Sequence, residues 1–390
     1  MIQAVKFLKL NPNEELRKPT VVVGAPTANA AHIVGGRTID SIFGFNPTDR
    51  NRYLNSDPSL LAKMKFEYEM VRTFFIDEIS MVGSSKLQKI NYRLQEMADG
   101  ENKQKYMGGK SIVVSGDVAQ LQPIYDNIVL DNPGLDGRSD QAPNHFKENF
   151  KIVYLDEKMR SKEDAEFSHL CDRVARGEIT EADEKFLQSR VQDTESEKDN
   201  EKFKLGKLSI IVTTNKKRES VNEEKLKSLL PNEKEFSCNS IDRVTNVPMN
   251  PKLSENERSN LGKTGNLPTT LKLKVNAPVV MTSNHKKRKY KEDGLVNGAR
   301  GYVVAVQTDE KDENLVKCVW VKFNDETIGR RYRAENYNLR QGFDPGHPLA
   351  VPIIPERKSF QTGRGGIQYQ RTNFPLSLAY AITAHKCQVI

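Results

Sequence analysis

The sequence predicts an α/β protein built on parallel sheets, with a smaller antiparallel β unit late in the chain. Short unbroken apolar runs at Val21-Val22-Val23, Phe74-Phe75-Ile76 and Ser111 to Ser115 are the first observation. Parallel strands buried on both faces read as such runs, and strands alternating with helices imply a parallel sheet. Leu208-Ser209-Ile210-Ile211-Val212-Thr213-Thr214-Asn215 starts the pattern again, so a second α/β region is expected. The third observation is a change of period: from Gly301 to Tyr337 apolar residues alternate, as in Val303, Ala305, then Val316, Cys318, Trp320 and Phe323. Alternation marks strands covered on one face.

Taken in order, residues 1 to 10 place apolar side chains at helical spacing, and Asn11-Pro12-Asn13 supplies a stop. Val21 to Ala25 reads as a buried strand followed by an Ala-rich helix start at 28 to 31. The parallel sheet is expected to run to about residue 150. Residues 155 to 190 read as helices with Phe167, Leu170, Val174 and Ala175 on one face, and the charged stretch Asp193 to Lys204 reads as a surface linker. A helical pattern follows Ser220, and Val279-Val280-Met281 is expected as a further strand of the second α/β region. Leu376 to Lys386 returns to that region. The expected boundaries are 1–150, a helical connector at 151–204, a second region at 205–300 and 371–390, and an inserted β unit at 301–370.

At 390 residues the chain exceeds one core, so two or three domains are expected. Charged residues make up 29% and apolar residues 37%, which leaves enough Val, Ile, Leu and Phe for cores and excludes global disorder. The formal net charge of +8 suits a polyanionic partner, and an ordinary solvated surface accounts for it equally. Cys171, Cys238, Cys318 and Cys387 form no Cys-x-x-Cys pair and have no His at ligand spacing, which supports neither a disulfide framework nor a zinc site. The first ten residues are too short and too Lys-interrupted for a signal peptide, and no apolar run reaches membrane-spanning length. A soluble, intracellular protein is expected.

Chemistry gathers where the strands end. Ligands of open α/β sheets bind at the carboxyl ends of the strands, and there Asp77 and Glu78 follow Phe74-Phe75-Ile76. Phosphoryl transfer from ATP needs an anchor for magnesium, a group to orient water, and charge around the γ-phosphate. Asp77 suits the first role and Glu78 the second, although a surface turn also ends in such residues. Ser115-Gly116-Asp117-Val118-Ala119-Gln120 leaves the next strand through a Gly, and Gln120 is placed to hydrogen-bond a γ-phosphate or simply to be solvated in a turn. Arg160, in Lys158-Met159-Arg160-Ser161, reads either as an arginine finger or as a surface helix residue.

Seven segments then occur in one order. They are Gly24-Ala25-Pro26-Thr27-x-x-Ala30-Ala31, Gly35-Gly36-Arg37-Thr38-Ile39-Asp40-Ser41-Ile42-Phe43, Ile76-Asp77-Glu78-Ile79-Ser80-Met81 and Gly116-Asp117-x-x-Gln120-Leu121, followed by Met159-Arg160, Gly294-Leu295-Val296-Asn297-Gly298-Ala299-x-Gly301 and Ala381-Ile382-Thr383-Ala384-His385-Lys386-x-Gln388. Together they resemble the Pif/RecD-like branch of superfamily 1 DNA helicases, of the eukaryotic or Helitron-transposon type, over nearly the whole chain. The resemblance implies two RecA-like lobes with ATP between them, a small inserted β-barrel at about 301–370, and movement 5′ to 3′ on single-stranded DNA, with forked duplex DNA as substrate. It further implies that Asp77 holds Mg2+, that Glu78 activates water, and that Gln120 and Arg160 read the γ-phosphate. Thr27, Thr38 and Ser41 would contact DNA in the first lobe, and Thr383, His385 and Lys386 in the second. DNA repair, recombination, telomere maintenance or transposition, in the nucleus, is the implied setting.

The sequence also departs from the family. It holds no Gly-x-x-x-x-Gly-Lys-Ser/Thr loop of the kind that cradles phosphates. Gly109-Lys110-Ser111 has Gln104 at the first Gly position and leads into a strand, and Gly262-Lys263-Thr264 has Glu257 there with Pro268 close behind. The helix at 1 to 10 falls where the family's helix after that loop would be, so the chain is expected to be truncated at both ends, with Asp40 standing where the family often has His. The basic run Lys286-Lys287-Arg288-Lys289-Tyr290-Lys291 reads as a nuclear localisation signal, as a DNA contact with Tyr290 stacking on a base, or as a solvated loop. Three functions follow: an ATP-dependent helicase, an inactive single-stranded DNA-binding remnant, and an unrelated nucleotide-binding scaffold.

Overall fold

The computed structural model describes residues 19–45, 57–123, 126–131, 145–155, 157, 164–189, 201–203, 208–245, 253–254, 257–258, 264–362 and 367–383. The helix expected at 1 to 10 and most of the charged stretch from Asp193 lie outside them. The chain divides into two compact units, one holding the residues up to Pro26 and Ile39–Ser196, the other Thr27–Thr38 and everything from Glu197. In chain order the first elements are β1 (Val21–Ala25), α1 (Ala28–Ile33), β2 (Arg37–Thr38), α2 (Ile39–Phe43), α3 (Pro58–Tyr68), β3 (Thr73–Ile76), α4 (Ser84–Met97) and β4 (Ser111–Val114).

In the first unit β3 lies between β1 and β4, parallel to both, with Val21 opposite Thr73 and Thr73 opposite Ser111. This is the parallel sheet the apolar runs predict. α4 packs on it because Leu87, Ile90 and Leu94, spaced three and four apart, fall on one face of a helix, and all three are buried. The amino end of α4 is capped from a distance: the Asp126 carboxylate accepts from the backbone N–H of Ser85 (3.3 Å) and of Lys86 (3.1 Å). Arg93, on the same helix, is fully buried; it donates from Nε to the Phe43 carbonyl at 3.1 Å and from Nη1 to Glu96 at 2.8 Å, so its charge is compensated inside this core.

After α5 (His145–Asn149) come α6 (Ala165–Arg176) and α7 (Glu181–Ser189). The helices expected between 155 and 190 are therefore present, but their apolar face is not a core face. Leu170 is buried, whereas Phe167 and Val174 are each 46% exposed and Ala175 is exposed. The hairpin is held by charge instead: Arg173 donates Nε and Nη2 to the two oxygens of Asp183 at 2.7 and 2.5 Å. Helical periodicity locates a stripe on a helix and says nothing of whether a neighbour covers it.

The second unit continues with β5 (Ile210–Val212), α8 (Asn215–Leu229), β6 (Phe236–Asn239), β7 (Ile241–Val244), β8 (Thr270–Leu273), β9 (Pro278–Met281) and α9 (Arg288–Glu292). Then follow β10 (Arg300–Thr308), β11 (Val316–Phe323), α10 (Arg330–Glu335), β12 (Val351–Ile353), β13 (Glu356–Thr362), β14 (Ile367–Asn373), β15 (Leu376–Leu378) and β16 (Ala381–Thr383). β16 returns to pair parallel with β5, Thr383 opposite Val212, as the α/β reading expects. β9 departs from that reading. It is antiparallel to both β10 and β15 in a five-stranded sheet of order β12-β11-β10-β9-β15. Its apolar run comes from a central position with all four residues buried, and a run of that kind does not reveal strand direction.

The inserted barrel expected at 301–370 is not what the strand pairing shows. β10, β11 and β12 join β9 and β15, while β13 and β14 pair with β7 in a separate three-stranded sheet. β11 is buried on both faces: Val319 and Val321 enter the main core of the unit, and Trp320 lies against Phe343 on the other side, ring centroids 5.9 Å apart. In the three-stranded sheet Arg371 is 0% exposed and bonds both oxygens of Asp242 at 2.7 and 2.8 Å, together with the carbonyls of Arg258 and Leu267. Among the described residues no helix is long and apolar enough to cross a membrane.

Candidate nucleotide and DNA site

β3 and β4 end in register, Ile76 opposite Val114, so the residues that follow them, Asp77 and Ser115, emerge side by side. The Ser115 hydroxyl donates to Asp77 Oδ1. The Asp77 N–H donates to the Gly24 carbonyl at 2.9 Å, which fixes the third strand end to the same place, and Ile79 N–H donates to the Ser115 carbonyl at 2.9 Å. One carboxylate oxygen is thereby oriented and the backbone around it held on both sides. Asp77 is half-buried.

Glu78 has φ 54° and ψ 52°, a left-handed conformation that is uncommon for any residue except Gly, Asn and Asp. Such strain costs about 1–3 kcal/mol and gathers at functional sites. The turn after β4 explains how the backbone tolerates it. Gly116 has φ +149°, and a Cβ there would lie 2.7 Å from the Ile79 nitrogen, so only Gly lets the two strand ends approach this closely. Asp117 then closes a tight turn by accepting the Ala119 N–H at 3.0 Å, and the Gln120 N–H donates to the Asp117 carbonyl at 3.0 Å. Gln120 is exposed, its amide Nε2 3.4 Å from Asp117 Oδ2.

Asp77, Glu78 and Gln120 thus belong to one unit and to adjoining strand ends, as their spacing predicts. Arg160, His385 and Lys386 lie outside the described residues. Ser115 is the residue that sequence reasoning passed over; the equal lengths of the two apolar runs, each ending one residue before it and Asp77, are the signal for it. As a ligand set, one oriented carboxylate suits Mg2+, which keeps several waters and takes one or two carboxylates plus phosphate oxygens rather than an all-protein cage. The Gly109-Lys110-Ser111 decoy is a structural turn: Lys110 Nζ donates to the Val71 carbonyl at 2.6 Å and Ser111 opens β4.

The expected DNA contacts are more dispersed. Thr27 caps α1, its Oγ1 accepting the Ala30 N–H at 3.2 Å, which leaves the hydroxyl proton to donate outward. Thr38 ends β2 and Ser41 is exposed on α2. Asp40, between Thr38 and Ser41 in sequence, is paired with Lys86 at 2.9 Å, so its charge is balanced locally. Thr383 ends β16 beside Val212.

The Gly294 to Gly301 segment packs against α1 within the second unit. Gly294 has φ +83°, and a Cβ there would come within 2.9 Å of the His32 ring. The basic run before it corrects one expectation. Tyr290 is 4% exposed, edge-on to His285 and Tyr332 at 4.8 and 4.7 Å, and its hydroxyl donates to Glu335 at 2.8 Å. It is a core residue and does not stack on a base. Lys289 pairs with Glu335 and Arg288 with Glu292, while Lys286, Lys287 and Lys291 stay exposed.

Comparison with known proteins bears on these observations. The family model for PIF1-like helicase matches residues 10–185. A Pif1 ATP-dependent DNA helicase of Bdellovibrio bacteriovorus is 27% identical over 96% of this chain and 71% of its own length. The chain is similar to the Pif1-like helicases. A Danio rerio PIF1 helicase is 26% identical over 93% of this chain, which spans 48% of that protein. The crystal structure of Pif1 helicase from Candida albicans superimposes with a TM-score of 0.66 at 22% identity, covering 100% of this chain and 78% of that one. A Bacteroides Pif1 helicase in complex with ADP-AlF3 and single-stranded DNA gives 0.61 at 21% identity, with the same coverage. The Pif1-like fold, with its RecA-like lobes, therefore accounts for the parallel sheet that carries Asp77 and Glu78.

Proposed function

We propose that this chain is an ATP-dependent DNA helicase of the Pif1-like kind, coupling ATP hydrolysis to 5′ to 3′ movement on single-stranded DNA. The observation that carries this reading is the Asp77–Ser115 bond at the shared ends of β3 and β4, beside the left-handed Glu78. In this reading Asp77 holds Mg2+, which when bound neutralises phosphate charge. Ser115 keeps one Asp77 oxygen aimed, so the other is presented without reorganisation. Glu78, held by the strand-end turn, accepts a proton from the attacking water and orients it. Gln120 hydrogen-bonds the γ-phosphate, and Arg160 supplies charge to the same oxygens.

In this reading DNA is taken up on Thr27, Thr38 and Ser41 of the proposed first lobe and on Thr383, His385 and Lys386 of the proposed second lobe, with forked duplex as the substrate. A role in repair, recombination, telomere maintenance or transposition, in the nucleus, fits the eukaryotic relatives. The domain boundaries that go with this reading are a first lobe to about residue 150 and a second from about 205.

The test is direct. The purified 390-residue chain is expected to hydrolyse ATP in response to single-stranded DNA, and Glu78→Gln to lower that rate by at least about 100-fold while leaving DNA affinity intact. DNA binding with no hydrolysis in the wild type would instead identify a binding remnant. No binding to single strands at low salt would leave only a nucleotide-binding scaffold.

A further inference from the structure

Asn222 lies on α8 and is 4% exposed. Its side-chain amide is fully used on one short segment: Nδ2 donates to the carbonyls of Leu378 and Ala381, both at 3.2 Å, and Oδ1 accepts the Ala381 N–H at 2.8 Å. That segment is a changeover between sheets. β15 is antiparallel to β9, and three residues later β16 is parallel to β5, so the backbone between them turns out of one ladder before it enters the other. Buried backbone groups at such a point need partners from outside the ladders. Asn222 supplies three of them.

A second brace acts on the same turn. Ser209 Oγ donates to the Ala379 carbonyl at 2.9 Å and itself accepts from Arg300 Nη2. The backbone N–H of Ile210 donates to the Tyr380 carbonyl at 2.8 Å. Every residue from Leu378 to Ala381 is thus held through its carbonyl, and Ala381 through its N–H as well. Thr383 lies two residues beyond, at the carboxyl end of β16.

We infer that Asn222 is a positioning residue for DNA binding: by clamping the turn it sets the direction in which β16 leaves, and so where Thr383 presents its hydroxyl. The inference rests on the reading of Thr383 as a DNA contact. An asparagine suits the role because one planar amide offers two donors and an acceptor at fixed geometry, which matches two carbonyls and one N–H. Aspartate has the same shape and keeps the acceptor, but faces both carbonyls with a second acceptor.

The experiment is fluorescence anisotropy of a labelled oligothymidylate with the full chain and with Asn222→Asp, Ser209→Ala, Thr383→Val and the Asn222→Asp/Thr383→Val double variant, each checked for fold by circular dichroism. Positioning predicts that Asn222→Asp and Thr383→Val each weaken binding about tenfold, about 1.4 kcal/mol, and that the double variant binds no worse than either single one. Ser209→Ala, which removes one bond to the turn, is expected to weaken binding by a smaller factor, and it carries the test should Asn222→Asp not fold. A residue that merely supports the fold would lower the melting temperature without this non-additivity, because distant independent effects add. Folded Asn222→Asp or Ser209→Ala protein that binds like the wild type while Thr383→Val binds weakly would overturn the inference alone. Tight binding by Thr383→Val would overturn it together with the Thr383 reading, and a wild type with no affinity for single strands would overturn the proposed function itself.

Discussion

Ser115 shows how a site residue gains meaning from one contact. Its hydroxyl bonds one oxygen of Asp77, the carboxylate proposed to hold magnesium. A group that orients a metal ligand in this way typically contributes 10- to 100-fold to metal affinity or activity, because it fixes the ligand before the ion arrives. Ser115→Ala is therefore expected to raise the magnesium concentration for half-maximal ATP hydrolysis about tenfold. Affinity for single-stranded DNA without nucleotide should stay unchanged. A magnesium titration of the DNA-stimulated rate, paired with anisotropy, separates the two, and an unshifted titration would remove Ser115 from the site. Asp77 and Glu78 were legible in sequence because an apolar run must end somewhere and two carboxylates end it here. The left-handed Glu78 was not, since its conformation is imposed by the Gly116 turn of another strand.

Among the elements, α9 and α10 show charge taking the place of expected chemistry. The basic run folds into a short helix whose Tyr290 and Lys289 both reach Glu335 on α10, with Arg331 adding a further bond at 2.9 Å. Lys289 first, then Tyr290 and Arg331, hold the Glu335 carboxyl down at about 2, against an ordinary value of 4.5. A carboxylate whose folded-state value is depressed adds stability above its unfolded value and loses it as pH falls through the folded one. The contribution of this cluster is thus complete above pH 4.5 and disappears towards pH 2. Thermal melts of wild type and Glu335→Gln should differ at neutral pH and converge across that interval; parallel curves would show that the cluster contributes nothing. α6 teaches the converse lesson. Its stripe was correctly placed by period, yet Phe167 and Val174 remain about half exposed, because amphipathicity records a capacity for burial and not its completion.

Across the whole molecule, the chain's long-range joins decide which strands share a sheet. Arg371 is the clearest case: it ties β14 to Asp242 on β7 and to the carbonyls of Arg258 and Leu267, segments more than a hundred residues earlier. Breaking a buried ion pair by removing one partner leaves the other charged and unsolvated, at a cost of about 3–5 kcal/mol. Arg371→Met is expected to destabilise the protein by that amount, read as a fall in the urea midpoint, while Arg371→Met/Asp242→Leu should recover part of the loss. If the single variant melts with the wild type, the pair carries no such weight.

What the sequence determined by itself was local and periodic. It placed the parallel strands β1, β3 and β4, the carboxylates at their ends, and the ordered motifs that carry the resemblance to Pif-like helicases, because strand burial and strand termination leave marks in consecutive residues. Only the tertiary structure decided that β9 runs antiparallel, that the 301–370 strands are divided between two sheets, that Tyr290 is core, and that Ser115 and Asn222 hold the groups around them. The physical reason is common to all four: each depends on a partner distant in sequence, and a hydrogen bond or a packed ring is a property of the pair, which neither residue's own neighbours disclose.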